Sequence, residues 1–287
     1  MARARVGDIE IEYEITGNDS DPALLLVAGF GQQLIGWDPD LRAKLAALGL
    51  RLIAYDHRDI GLSTKMDGLG LPPMGDVLKG AARLPYALDD LADDAVGLLD
   101  AIGIEKAHVL GASMGGMIAQ LIAIRHPGRV LSLVSVMSTT GDTEVPSPSD
   151  EALAVLTRAP ADTHAGRVEQ IVEGARVLAS PGYPFDEAWV RARAEAADTR
   201  SFYPDGVGRQ LMAILSASCR DELLADVKVP ALVIHGEADP LIDCEGGKLT
   251  AKAIPGSELR LLPDVGHELP EPVWNQVVAD IGAFLPK

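Results

Sequence analysis

Polar and apolar residues alternate from Ile9 to Ile15, the two-residue period of a half-buried strand. Further on, continuous apolar runs replace the alternation. ALLLV at 23–27 suits a strand covered on both faces, as in a parallel sheet. Asp40 to Leu48 has helical spacing and stops at Gly49. Arg51–Tyr55 reads as the next strand, and the polar turn DHRDIGLS follows it. From Ala87 to Ile102, Leu88, Leu91, Ala95, Leu98, Leu99 and Ile102 recur at helical intervals, up to Gly103. Ala107–Leu110 predicts a short strand entering GASMGG. Met114–Arg125 is apolar nearly all round and predicts a buried helix, and Val130–Met137 predicts another strand.

The strand–helix rhythm then breaks. Residues 139–221 hold helical stretches and proline-rich joints (EVPSPSD, ASPGYP) but no run that suits a buried strand, so they read as an inserted helical lid. The rhythm resumes with a strand at Ala231–His235, a helix around Gly247–Ala253, a strand at Glu258–Leu262 and a helix at Val273–Phe284. The expected division is a core of residues 1–138 and 222–287 with a helical cap at 139–221. Residues Ser63 to Pro85, dense in glycine and proline, read as a long loop able to wall a pocket.

Composition narrows the function classes. The 287 residues suit one α/β domain carrying a lid. The net charge of −17 repels phosphate backbones and anionic headgroups, which argues against nucleic-acid binding. Aromatic residues make up only 4% of the chain, so the core must rest on Leu, Val, Ile and Ala. The N-terminus has two arginines but no apolar stretch of a secretory signal, and no run approaches the ~20 residues of a membrane span. The expectation is a soluble cytoplasmic protein whose Cys219 and Cys244 are free thiols.

The chemistry concentrates in Gly111-Ala112-Ser113-Met114-Gly115, a G-x-S-x-G between a strand and a helix. Such a turn needs small residues two positions either side of the serine, and Gly116 lets the helix approach the sheet. A serine hydroxyl needs a base. Of the six histidines, His267 in DVGHE follows the last strand and can reach Ser113. His57 and His235 lie near strand ends, His108 within a strand, His126 at a helix end and His164 in the lid; structural roles account for each. Asp239, after the strand ALVIH and before Pro240, is the favoured carboxylate, with Asp243 and Asp264 as neighbouring alternatives. The oxyanion hole is expected from the backbone N–H groups of Met114 and Phe30, the latter in Ala28-Gly29-Phe30-Gly31.

Taken together, AGFG at 28–31, DHRDIGLS at 56–63, GASMG at 111–115, HGEADPLI at 235–242 and DVGHELP at 264–270 resemble the α/β-hydrolase superfamily, from about residue 6 to 285. The resemblance implies a mostly parallel eight-stranded sheet flanked by helices, a cap at 139–221, and Ser113, Asp239 and His267 as catalytic triad in that chain order. Ala28 stands where the family often has histidine, and Asp59 where its turn usually has glycine. DHRDIGLS is similar to the aclacinomycin methylesterase branch and its esterase relatives.

The leading expectation is therefore carboxylic ester hydrolysis through an acyl-enzyme on Ser113. A C–C bond hydrolase, a cofactor-free perhydrolase of the haloperoxidase type, and a ligand receptor on a hydrolase fold share the same pattern. Trp189, Phe202, Tyr203, Leu211, Met212 and Leu215 of the lid are offered as apolar pocket lining or as the lid's own core, and Trp37 and Met117 as bordering the nucleophile from the core side. The expected substrate is a small to medium, neutral, mostly apolar ester, with no metal or organic cofactor implied.

Overall fold

The structure is a computed structural model and describes residues 1–285. Eight strands form one sheet: β1 (Ala2–Val6), β2 (Ile9–Thr16), β3 (Ala23–Val27), β4 (Arg51–Tyr55), β5 (Ala107–Ala112), β6 (Val130–Val136), β7 (Ala231–Gly236) and β8 (Glu258–Leu262). Their order across the sheet is β1-β2-β4-β3-β5-β6-β7-β8. The β1–β2 and β2–β4 pairings are antiparallel and the rest parallel. The first strand escapes the hydrophobic pattern because it is an edge. Of ARARV only Ala4 is buried, and the two arginines face out.

The continuous apolar runs of the central strands have a simple cause. Alternate side chains enter opposite layers. Ala23, Leu25 and Val27 of β3 join one core cluster, with Ile53 and Tyr55 of β4 and Val109 of β5. Leu24 and Leu26 join the other, with Leu52, Ala54, Leu110, Val134 and Ile234. Both faces must therefore be apolar.

Eleven α-helices are described. They are α1 (Pro39–Ala46), α2 (Met74–Leu78), α3 (Leu88–Ala101), α4 (Met114–Arg125), α5 (Asp150–Thr157), α6 (His164–Leu178), α7 (Glu187–Arg200), α8 (Pro204–Leu215), α9 (Asp221–Leu224), α10 (Cys244–Ala253) and α11 (Trp274–Phe284). Buried residues of α3 and α4 cover the first face, and those of α1 and α11 the second. Helix α4 is buried from Met114 through Ala123, as its uniform apolarity requires. The glycine- and proline-rich stretch after Ser63 is mostly loop, as expected, but encloses the single turn and a half of α2.

Between β6 and β7 the described chain contains no strand, only α5–α9 and their joints. This insert is tied to the sheet domain by buried polar contacts. Arg200 of α7 meets Asp56 at 2.7 Å, and Gln33 Nε2 donates to the carbonyls of Ala197 and Ser201. Arg209 of α8 donates to both oxygens of Asp59. Arg220 Nη1 donates to Ser218 O and Nη2 to Thr139 O, clasping the two ends of the insert. Its Nε donates to Gln120 of α4. Cys219 and Cys244 are free thiols. Among the described residues, no helix is long and apolar enough to cross a membrane.

Candidate active site

Parallel strands deliver the chemistry-bearing loops to one edge of the sheet, at their carboxyl ends. Ser113 follows β5, Asp239 follows β7 and His267 follows β8. The backbone of Ser113 has φ 57°, ψ −122°, a strained conformation for a residue with a Cβ. The flanking glycines make it possible. A Cβ on Gly111 would fall onto the Gly115 carbonyl oxygen, and one on Gly115 onto that of Val27. One on Gly116 would reach within 2.5 Å of the Ser138 Cβ. The Ser113 N–H bonds the Val136 carbonyl at 2.9 Å, so β6 holds the turn from below.

His267 Nε2 lies 2.9 Å from Ser113 Oγ, and its Nδ1 2.7 Å from Asp239 Oδ2. The ionised carboxylate only accepts, so Nδ1 carries the proton and Nε2 is left to accept the serine hydroxyl. Asp239 is buried and its oxygens are occupied. Oδ1 accepts the N–H groups of Leu241 and Ile242, both at 2.9 Å. Oδ2 also faces His235 Nε2 at 3.4 Å. Burial pushes the Asp239 carboxyl up. The hydrogen bonds from His235 and His267, the His267 charge and the Ile242 N–H outweigh it and hold the group well below the usual carboxylate range.

The loop carrying Phe30 comes up beside the serine. A Cβ on Gly29 would stand 3.3 Å from the Ala112 carbonyl oxygen and 3.5 Å from Ser113 Cβ. Met114 opens α4, so its N–H is among those with no partner in the helix. The loop that carries Phe30 and the first turn of α4 thus both lie close to Ser113, whose Oγ is 2.9 Å from His267 Nε2.

This architecture matches a known family. A protein-family model described as alpha/beta hydrolase fold matches residues 22–271 of the 287. The chain belongs to the α/β-hydrolase fold family. Among this hydrolase's relatives, the rhodomycin D methylesterase of Streptomyces peucetius is 29% identical, covering 96% of this chain and 95% of that protein. The rhodomycin D methylesterase of a Streptomyces sp. is 30% identical over the same shares. The resemblance of DHRDIGLS to methylesterases thus extends over nearly the whole chain. In solved structures, the fold recurs in the enol-lactonase of Burkholderia xenovorans (TM-score 0.77, 24% identity, 100% of both chains). It recurs also in a meta-cleavage product hydrolase of Pseudomonas fluorescens (TM-score 0.78, 20% identity, 99% of this chain and 97% of that one).

None of the hydrolase's other histidines is hydrogen-bonded to Ser113; His235 touches the site only through Asp239. His57 Nε2 bonds the Ala28 carbonyl, and burial lowers the ring to about 4 against the pull of that carbonyl and of Asp56. His108 bonds Ser132, His126 meets Asp93, His164 meets Asp198, and His235 bonds the Ile242 carbonyl. Asp243 caps α10 through the Glu245 N–H, and Asp264 is an exposed turn residue with φ 56°.

The residues offered as pocket lining fall into different places. Trp37 is buried in the second core cluster and Met117 in the first. Met212 packs with Leu211 and Val77, against Phe30. Tyr203 is partly exposed, and its hydroxyl donates to Asp67 while accepting from Arg209. Trp189, Phe202 and Leu215 are exposed; the two aromatic rings lie under Arg193 and Arg167 respectively. A ring stacked on a guanidinium needs no apolar pocket, so of the insert residues offered as lining, Leu211 and Met212 are the two that pack beside Phe30.

Hydrophobic pattern missed the contacts by which the insert braces the site. The His267 N–H bonds the Leu178 carbonyl, and the Gly266 N–H bonds Ser180 Oγ. Ser180 N–H in turn donates to Glu268. On the opposite side, the Gly31 N–H donates to Gln210 Oε1 at 2.9 Å. The insert residues that make these contacts, Leu178, Ser180 and Gln210, stand in no motif, and their partners are remote in sequence.

Proposed function

We propose that this chain is a serine esterase that cleaves carboxylic esters through an acyl-enzyme on Ser113. The observation that carries the reading is the hydrogen-bond chain from Ser113 through His267 to Asp239. The similarity to methylesterases supports an ester as substrate. Ser113 Oγ attacks the ester carbonyl carbon while its proton passes to His267 Nε2. Asp239 holds the imidazole in its Nδ1–H form and stabilises the imidazolium. The N–H groups of Phe30 and Met114 take the negative charge that develops on the carbonyl oxygen. Collapse breaks the C–O bond, and the departing alcohol takes the proton from His267. Water, activated by the same imidazole, then releases the acid and frees Ser113.

In this reading, residues 139–221 form a cap over a core of 1–138 and 222–287. The substrate is small to medium, neutral and mostly apolar. Leu211 and Met212 meet it beside Phe30, with Met117, Trp37 and Tyr203 shaping the surrounding walls. The work place is the cytoplasm, where Cys219 and Cys244 stay reduced.

The test is hydrolysis of p-nitrophenyl acetate and butyrate by wild type and Ser113→Ala. Wild type turns both over, and the variant loses activity by about 10⁶-fold in kcat while keeping its circular dichroism spectrum. Residual turnover near the wild-type level would overturn the nucleophile assignment. Negligible wild-type turnover of both esters would favour C–C bond cleavage instead.

A further inference from the structure

Gln210 is fully buried on α8, where its Oε1 accepts the Gly31 N–H. That N–H can only donate, so the orientation of the carboxamide is settled: its oxygen faces the loop and its Nε2 faces away. Nε2 is buried as well, and it has no hydrogen-bond partner among the described residues. A buried amide donor without an acceptor is unfavourable, and native proteins rarely keep one without a use.

Its surroundings indicate the use. On the same face of α8, Val207 lies against Gly31, at 3.6 Å from where a Cβ would stand. One turn on, Ala213 and Ile214 enter the apolar cluster that holds Met114 and Met117 and against which Phe30 packs. The carboxamide is therefore seated on the loop that carries Phe30, and the next turn of α8 packs into the cluster that also holds Met114 and Met117. Gly31 adjoins Phe30, with their Cα atoms about 3.8 Å apart. A donor anchored there is within a few bonds of an ester carbonyl whose oxygen sits at the Phe30 N–H.

We infer that Gln210 Nε2 is a substrate-recognition donor, selecting esters that carry a second neutral oxygen acceptor, such as a 3-oxo group, a few bonds from the scissile carbonyl. This rests on the reading of Ser113 as nucleophile and Phe30 as oxyanion donor. The acceptor is neutral because the carboxamide is neutral, because the adjoining cation on α8, Arg209, is spent on Asp59, and because a chain of net charge −17 disfavours anions.

Two measurements test it. First, kcat/KM is compared for methyl 3-oxobutanoate and methyl butanoate, in wild type and Gln210→Met. Loss of the Gly31 bond slows both esters alike and cancels in their ratio. Loss of the donor lowers the oxo-to-plain ratio by about tenfold. A ratio that is unchanged in the variant overturns the inference. Second, Ser113→Ala protein is titrated with each ester while the Gln210 side-chain amide signals, assigned through their contact with the Gly31 N–H, are followed by NMR. Shifts with the oxo ester alone support the donor role; equal shifts, or none, overturn it. Should wild type hydrolyse neither ester, the esterase reading fails and the titration decides the role of Gln210 by itself.

Discussion

Asp59 and Arg209 form a two-bond ion pair, at 2.8 and 3.1 Å, with neither side chain appreciably exposed, though 150 residues separate them in sequence. Asp59 also accepts the Met66 N–H at 2.6 Å, and it holds φ at 70°, a backbone conformation that favours glycine. The aspartate found where the related turn usually has glycine is therefore the anchor of α8. Arg209→Met leaves a buried carboxylate unpaired and is expected to lower stability by about 3–5 kcal/mol in urea unfolding. Adding Asp59→Gly removes both the stranded charge and the strain and recovers part of the loss. A double variant no more stable than the single one would contradict the anchoring role.

Asp239→Asn keeps the shape of the site but changes its protons. The amide can donate to His267 Nδ1, which favours the tautomer whose Nε2 is already protonated. The expected result is a fall in kcat of about 10⁴-fold on p-nitrophenyl butyrate with a native circular dichroism spectrum. Asp243→Asn and Asp264→Asn, which touch neither His267 nor Ser113, leave kcat within about twofold by the same logic.

Gly111→Ala probes the turn without removing any polar group. The added methyl collides with backbone at Gly115, which has no rotamer by which to retreat. Stability should drop by about 1–3 kcal/mol or more, and activity should fall further than the unfolded fraction explains, because Ser113 is displaced from His267. Thermal unfolding and kcat on the same preparation check it.

His57 makes stability sensitive to acid. Its folded-state value is lowered to about 4, from 6.5. Between those values the unfolded chain binds a proton that the folded chain does not. The contribution is therefore intact above pH 6.5 and is lost as pH falls towards 4, by about 1.4 kcal/mol per pH unit and about 3 kcal/mol in all. Urea unfolding at pH 7, 5.5 and 4.5 should show this slope, and His57→Gln should flatten it.

Much of the fold was legible from local pattern alone. The strand bounds at Ala23–Val27, Arg51–Tyr55 and Glu258–Leu262, and the helix Met114–Arg125, follow the apolar periodicity because each segment buries the faces its own spacing defines. The edge strand Ala2–Val6 did not stand out, since one buried alanine among exposed residues has no readable period. Within the site, Ser113, Asp239 and His267 were marked by short motifs in which glycine and proline shape a turn around a polar residue. Those turns are local, so their chemistry is written locally.

What the sequence by itself determined is thus the inner strands of the sheet, its buried helix and the three polar residues at strand ends. The tertiary structure alone decided how they are held. Gln210 on Gly31, Ser180 on Gly266, Arg200 on Asp56 and Arg209 on Asp59 each join the insert to a loop of the sheet domain. A polar residue on a helix carries no mark of a partner far away in sequence. Only when the chain buries both ends does the need to satisfy each donor and charge select the pairs.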